Sequence, residues 1–74
     1  MTMQHILIID DDLTFAIMLK AWLKKKGYEV STASNVKTAQ KAIEGDRFDL
    51  ILSDVRLPDG DGIELMKWAK MHSL

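Results

Sequence analysis

Aspartates follow two apolar segments of the 74-residue sequence, at the point where each segment ends. Asp10, Asp11 and Asp12 come directly after one aliphatic run, and Asp54 comes after another. In α/β sheets, ligands bind beyond the carboxyl ends of the strands, and neighbouring strands lie about 5 Å apart. If the two runs are neighbouring strands, their acids therefore meet at one place. Like charges so close repel one another, so the pattern predicts a site for a hard divalent cation.

Some of the acids also have a purely structural interpretation. Asp12 precedes a helical pattern, where an aspartate often serves only as the N-cap. Asp59 and Asp61 are each followed by glycine, a combination that is typical of turns, so we expect them to form turns rather than bind a ligand. The other acids at the two strand ends have no such interpretation, because each takes the place of an apolar residue at the end of a buried run.

Apolar periodicity and turn residues predict three strands and three helices in alternation. The predicted strands are residues 5–10, 28–32 and 49–54, and the predicted helices are residues 13–26, 35–44 and 62–72. Strands and helices that alternate with short joints imply a parallel sheet with right-handed crossovers. The predicted fold class is therefore α/β.

The predicted helices differ in their apolar faces. The expected core face of the first helix carries Phe15, Leu19, Trp22 and Leu23. The third helix has one apolar face at Ile63, Met66 and Ala69 and a second at Leu65 and Trp68. A helix that is apolar on two sides usually has two neighbours, so the third helix is expected to pack on both.

Composition excludes several classes of function. A net charge of −1 gives no strongly basic face for nucleic acid, and the absence of cysteine removes disulfides and thiolate metal sites. The basic run at residues 24–26 is typical of a solvated helix end. No apolar stretch approaches the length of about 20 residues that spans a bilayer, and no signal peptide is visible. These features predict a cytoplasmic protein without nucleic-acid or membrane partners.

Two motifs resemble a known family. Residues 6–12 are Ile-Leu-Ile-Ile-Asp-Asp-Asp, and residues 49–62 are Asp-Leu-Ile-Leu-Ser-Asp-Val-Arg-Leu-Pro-Asp-Gly-Asp-Gly. Together they resemble the response-regulator receiver domain of two-component signalling, and the likeness extends along the whole chain. The segment at residues 53–58 is similar to receivers of bacterial enhancer-binding activators. The resemblance implies a (βα)₃ part of a flavodoxin-like, doubly wound parallel sheet with strand order 2-1-3.

The resemblance also implies a role for individual residues. Asp54 matches the aspartate that accepts a phosphoryl group from a sensor histidine kinase, and it also faces the metal. Asp11 matches the main carboxylate ligand of Mg²⁺ or Mn²⁺, and Asp10 matches a second acid that often acts through water. Arg56 occupies the position whose backbone carbonyl completes the metal shell. We expect weak, about millimolar, cation binding, and a phosphoryl acceptor rather than an enzyme with turnover.

The matching region corresponds to about the first three-fifths of such a domain, which suggests a truncated receiver. A complete receiver has two further strands, which end in a Ser or Thr and in a Lys that contact the phosphoryl group. After Asp54 the chain offers Lys67 and Lys70, inside the predicted third helix, and Ser73. None of these can take the missing roles, so we expect phosphorylation to be short-lived and not to switch this chain.

Self-association is an alternative property of a chain with this strand order. Order 2-1-3 leaves the strand at residues 49–54 at the edge of the sheet. We expect this strand to pair with a second copy, giving a homodimer with a six-stranded sheet that covers Leu65 and Trp68.

A third possibility is a phosphatase of the haloacid-dehalogenase type. Residues 10–14, Asp-Asp-Asp-Leu-Thr, fit the Asp-x-Asp-x-Thr start of that class, with Asp10 as nucleophile and Asp12 as acid and base. That class needs a much longer chain with a downstream lysine, and it leaves the segment at residues 54–62 without an explanation.

Overall fold

The chain folds as three successive strand–helix units in the computed structural model, which describes residues 3–72. The strands of the sheet are β1 (His5–Ile9), β2 (Glu29–Ala33) and β3 (Leu50–Ser53), and the helices are α1 (Leu13–Lys25), α2 (Val36–Gly45) and α3 (Gly62–His72). The three strands are parallel and lie in the order β2-β1-β3. The α/β class and the strand order 2-1-3 are therefore confirmed.

The central strand β1 is buried along its whole length, which explains its continuous apolar sequence. Its side chains alternate between two cores. Ile6 and Ile8 pack with α1, whereas Leu7 and Ile9 pack with α2 and α3. Both faces of the sheet are thus covered at β1, by α1 on one side and by α2 and α3 on the other.

The core face of α1 differs from the predicted one. Ala16 and Leu23 are buried, but Phe15 is 50% exposed and Trp22 is 56% exposed. The prediction was wrong for these two aromatic residues because α1 lies over β1 and β2, not over β3. Phe15 instead borders an open groove that it shares with Leu52 of β3.

His5 joins the three strands at the edge of the sheet opposite the acids. Its ring contacts the hydroxyl of Ser31 at 2.8 Å and the carbonyl of Arg47 at 3.1 Å. Its backbone N–H donates to a carboxylate oxygen of Asp49 at 2.7 Å. Asp49, which the sequence left without a role, therefore helps to align β3 beside β1.

A short hairpin follows β3, in the segment where the sequence predicts turns at Asp59 and Asp61. Strand β4 (Arg56–Leu57) pairs in antiparallel fashion with β5 (Gly60–Asp61), and residues 58 and 59 form the turn. Leu57 is buried in the core between α2 and α3. The segment between β3 and α3 is thus ordered, and α3 begins directly after it. Within residues 3–72, no helix is long and apolar enough to cross a membrane.

Candidate functional site

The structure brings the acids of the two strand ends together. The parallel ladder continues one residue past the strands: the N–H of Asp54 donates to the carbonyl of Ile9 at 2.9 Å, and the N–H of Asp10 donates to that of Ala33 at 3.0 Å. Carboxylate oxygens of Asp10, Asp11 and Asp54 consequently lie within 4.8 Å of one another. The predicted convergence of these acids is confirmed as a matter of geometry.

Local backbone groups orient two of these three carboxylates. The N–H of Asp12 donates to Oδ1 of Asp10 at 2.9 Å, and the N–H of Val55 donates to Oδ1 of Asp54 at 2.8 Å. Asp10 is half-buried, whereas Asp11 and Asp54 are exposed. Two members of the cluster therefore have preferred orientations, while their environment stays open to a cation and to solvent.

Asp12 does not join the cluster, although it is adjacent in sequence. It is the N-cap of α1, and its Oδ1 accepts the N–H of Phe15 at 3.1 Å. This bond satisfies one of the free N–H groups in the first turn of the helix. The structural interpretation of Asp12 is therefore the one that the geometry supports.

The negative charge of the cluster is not balanced by a basic side chain of the described part of the chain. Across residues 3–72, the contacts between basic and acidic groups are Lys67 with Glu64 and His5 with Asp46, and neither touches the cluster. Three carboxylates at such short distances are the hard oxygen ligands that Mg²⁺ and Mn²⁺ prefer. The residues present thus fit a divalent cation.

Glycine is required where α3 starts, beside Asp54. The N–H of Gly62 donates to the carbonyl of Val55 at 2.8 Å. A Cβ atom on Gly62 would lie 2.0 Å from the backbone carbonyl oxygen of Asp54 and 2.9 Å from Oγ of Ser53. The sequence suggested a turn here, but the requirement is a close approach of two backbones, which local sequence does not reveal.

Arg56 lies two residues after Asp54, at the start of the hairpin, where it pairs with Asp61. The acid Asp61 is itself a helix cap, because its Oδ1 accepts the N–H of Ile63 in the first turn of α3 at 2.7 Å. The backbone of Arg56 is thus tied into a segment that is ordered at both ends.

Asp59 has a role that sequence reasoning missed. Its two carboxylate oxygens accept the N–H of Val36 at 2.6 Å and the N–H of Lys37 at 3.0 Å, at the start of α2. The hydrogen bond from the N–H of Val36 is the main reason why the pKa of the Asp59 carboxyl lies below its usual value. The positive charge of Lys37 lowers this pKa further. More than 20 residues separate the partners, so the Asp-Gly turn pattern gave no sign of this contact.

The lowered pKa of Asp59 predicts a pH dependence of stability. The ionised form is favoured by folding, so its contribution is complete above the unfolded-state pKa of about 4 and is lost as the pH falls through the lower folded-state pKa. We expect the melting temperature of the wild type to exceed that of Asp59→Ala at pH 7, and the gap to close as the pH falls through the lowered folded-state pKa of Asp59. A gap that is constant across thermal melts from pH 7 to acid would contradict this.

Comparison with known proteins identifies the class. The family model of the response regulator receiver domain matches residues 6–73, which is nearly the whole chain. The chain therefore belongs to the response regulator receiver domain family. This membership leaves no place for the phosphatase alternative, which the segment at residues 54–62 already disfavoured.

Particular relatives agree with this assignment. The alkaline phosphatase synthesis transcriptional regulatory protein PhoP of Bacillus subtilis is 41% identical over 71 residues, which are 96% of this chain and 30% of PhoP. Chemotaxis response regulator CheY4 of Vibrio cholerae superimposes with a TM-score of 0.91 at 37% identity, over 95% of this chain and 58% of its own. Response regulator TrrA from Thermotoga maritima, solved in complex with Mg²⁺-BeF, gives a TM-score of 0.88 at 32% identity, over 93% of this chain and 60% of the TrrA chain.

Proposed function

We propose that this chain is the phosphoacceptor segment of a two-component response regulator. Asp54 accepts a phosphoryl group from a sensor histidine kinase, in the presence of Mg²⁺ or Mn²⁺. Asp11 is the main carboxylate ligand, Asp10 acts as a second ligand through water, and Asp54 and the backbone carbonyl of Arg56 complete the protein's share of the shell. The observation that carries this proposal is the convergence of three carboxylates within 4.8 Å at the ends of two parallel strands.

The phosphoryl transfer needs little from the protein besides alignment. Oδ1 of Asp54 is occupied by the N–H of Val55, so Oδ2 is the attacking oxygen. The new bond forms between Oδ2 and phosphorus while the bond from phosphorus to the donor's imidazole nitrogen breaks. The electron pair of that bond stays on the imidazole, which takes a proton from solvent. Asp54 becomes an acyl phosphate, and the donor is released as neutral histidine.

Charge is the main obstacle to this step, because the phosphoryl oxygens approach three carboxylates. Asp10, Asp11 and Asp54 would hold a divalent cation, which would neutralise part of this charge during the transfer. Asp10 and Asp11 hold the negative charge that attracts the cation, and the open surface around Asp11 and Asp54 admits a donor protein. We place the chain in the cytoplasm, where a kinase can reach this surface.

A phosphorylated sensor histidine kinase provides the functional test. We expect transfer to the wild-type chain when Mg²⁺ is present and none to Asp54→Asn, because the amide is not a nucleophile for phosphorus. Transfer is measured by intact-mass spectrometry of rapidly quenched samples. Equal labelling of the Asp54→Asn variant would reject the proposal.

We infer, second, that the chain associates with its own copy along β3. Within residues 3–72, β3 pairs with β1 alone, and its outer edge borders a groove of about 540 Å³. Apolar side chains of Ile51, Val55, Ile63 and Met66 line this groove. The surface that a second copy would cover differs from the predicted one. Leu65 of α3 is only 2% exposed, because it already packs in the core against α2.

A second copy suits this edge because an antiparallel, two-fold pairing of β3 is self-complementary. Leu50 and Leu52, which are 49% and 37% exposed, then lie beside the same residues of the copy on one face of the sheet. Since α3 runs back along β3, the pairing also brings the end of the groove that holds Lys70 close to the end that holds Asp54 in the copy. Opposite charges thus meet across the interface.

Sedimentation velocity at about 50 µM tests this association. We expect the wild type to sediment as a dimer and Ile63→Glu as a monomer, because Ile63 lines the groove and is 54% exposed. Met71→Glu is the matched control, since Met71 is on the same helix, is 85% exposed and lies outside the groove. A folded wild-type monomer, or a dimer that Ile63→Glu leaves intact, would reject the inference.

A further inference from the structure

The N-terminus of α2 is capped by two residues from distant parts of the chain. The side chain of Asn35 accepts the N–H of Thr38 at 2.8 Å, and the backbone carbonyl of Asn35 accepts that of Ala39. The two remaining N–H groups of the first turn, those of Val36 and Lys37, donate to Asp59 of the β4–β5 hairpin. These two groups have no partner within the helix itself. The cap is therefore also a link between α2 and the hairpin.

This link meets the hairpin at its tip. Besides the two bonds to Asp59, Gly60 lies so close to Val36 that a Cβ atom would be 2.8 Å from the valine methyl Cγ2. The hairpin strands have only two residues each, which is too short to keep a fixed position without outside contacts. Leu57, buried in the core, is its other anchor.

The base of the same hairpin carries the residues next to the acidic cluster. Arg56, the first residue of β4, follows Asp54 by two positions, and the turn at residues 58 and 59 comes directly after Leu57, the last residue of β4. If the tip of the hairpin moves, the backbone must therefore change within a few residues of the acidic cluster. Contacts of this kind orient metal ligands, and their loss often lowers metal affinity by about 10- to 100-fold.

We propose that Asp59 is a positioning residue for the cation site, acting through its two hydrogen bonds to the start of α2. By holding the hairpin against α2, it sets the place of the Arg56 backbone relative to Asp54. This inference rests on the proposed function, because it assumes that the cluster of Asp10, Asp11 and Asp54 binds Mg²⁺. The lowered pKa of Asp59 agrees with a carboxylate that is held in its ionised, bonded form.

Asn35 supplies the control that separates positioning from stability. Asn35 and Asp59 cap the same turn of α2, but only Asp59 belongs to the hairpin. If Asp59 acted only by stabilising α2, loss of either cap would affect the cation site alike. If it positions the hairpin, only the loss of Asp59 weakens cation binding.

The experiment is a calorimetric titration of the full chain with Mg²⁺, at a temperature where circular dichroism shows every variant to be folded. We expect Asp59→Ala to raise the dissociation constant about 10-fold, the lower end for supporting contacts of a metal site. Asn35→Ala should stay within about 2-fold of the wild type. Asp59→Asn has lost the same charge as Asp59→Ala but keeps an acceptor oxygen, and it should recover most of the affinity.

Each result has one meaning. If Asp59→Ala and Asn35→Ala weaken Mg²⁺ binding equally, Asp59 acts only by stabilising α2, and the inference is overturned. If Asp59→Asn and Asp59→Ala weaken Mg²⁺ binding equally, the negative charge of Asp59 accounts for its effect, and the inference is also overturned. An Asp59→Ala chain that binds like the wild type would also reject it. Asp11→Asn is titrated in parallel: if it too binds like the wild type, the proposed cation site itself fails, not just the role of Asp59.

Discussion

Replacing Asp11 with asparagine is expected to raise the dissociation constant for Mg²⁺ by about 10-fold or more. Mg²⁺ is commonly held by one or two carboxylates, with water in its remaining coordination positions. The loss of one carboxylate therefore removes a large part of the ligands that the protein supplies. Asp11 is exposed, and a carboxylate oxygen of Asp11 lies within 4.8 Å of those of Asp10 and Asp54. Calorimetry is the suitable measurement, because Trp22 lies about 14 Å along α1 from the acids and is a poor reporter.

Asp12→Asn is the matched control for this change. It removes the same charge one residue away, but asparagine caps helices as well as aspartate does, so α1 should keep its start. We expect Asp12→Asn to bind Mg²⁺ within about 2-fold of the wild type. Identical titrations for Asp11→Asn and the wild type, or equal losses in the two variants, would show that Asp11 is not a ligand.

Replacing Gly62 with alanine is expected to destabilise the chain by about 3 kcal/mol. The added methyl group would lie 2.0 Å from the backbone carbonyl oxygen of Asp54, so either α3 or the end of β3 must move. Intrinsic helix propensity acts in the opposite direction, because alanine is favoured over glycine in a helix by about 1 kcal/mol. The sign of the measured change therefore tells which effect dominates.

Gly45→Ala is the control for this substitution. Gly45 is the last residue of α2, and nothing lies within 4 Å of a Cβ atom placed on it. Urea denaturation should give Gly45→Ala a free energy of unfolding close to that of the wild type, with Gly62→Ala clearly lower. A Gly62→Ala chain as stable as the wild type, with unchanged Mg²⁺ affinity, would contradict the close approach at Asp54.

Much of the fold and of the acidic cluster could be predicted from the sequence because both depend on local patterns. An apolar run without polar interruption indicates a strand buried on both faces, and β1 has that pattern. An acid that ends such a run must lie at the edge of the sheet, which is how Asp10 and Asp54 were recognised. Strand order then followed from the resemblance to receivers.

The remaining features depend on contacts between distant segments. The side chain of Asp59 meets α2 across more than 20 residues, and the reason for Gly62 is the position of another backbone. Phe15 and Trp22 were assigned to the core from helical period alone, but the period does not tell which strands a helix covers. A cytoplasmic location and a place among enhancer-binding activators stay predictions.

The most direct test of the proposed function is the position of the phosphoryl group. The chain is treated with acetyl phosphate, with and without Mg²⁺, and quenched with borohydride, which reduces an aspartyl phosphate to homoserine. Peptide mass spectrometry then locates the modified residue. We predict homoserine at position 54, dependent on Mg²⁺ and absent from Asp54→Asn. Homoserine at position 10 or 11, or a yield at position 54 that is independent of Mg²⁺, would contradict the proposal that Asp54 is the phosphoacceptor of a metal-dependent site.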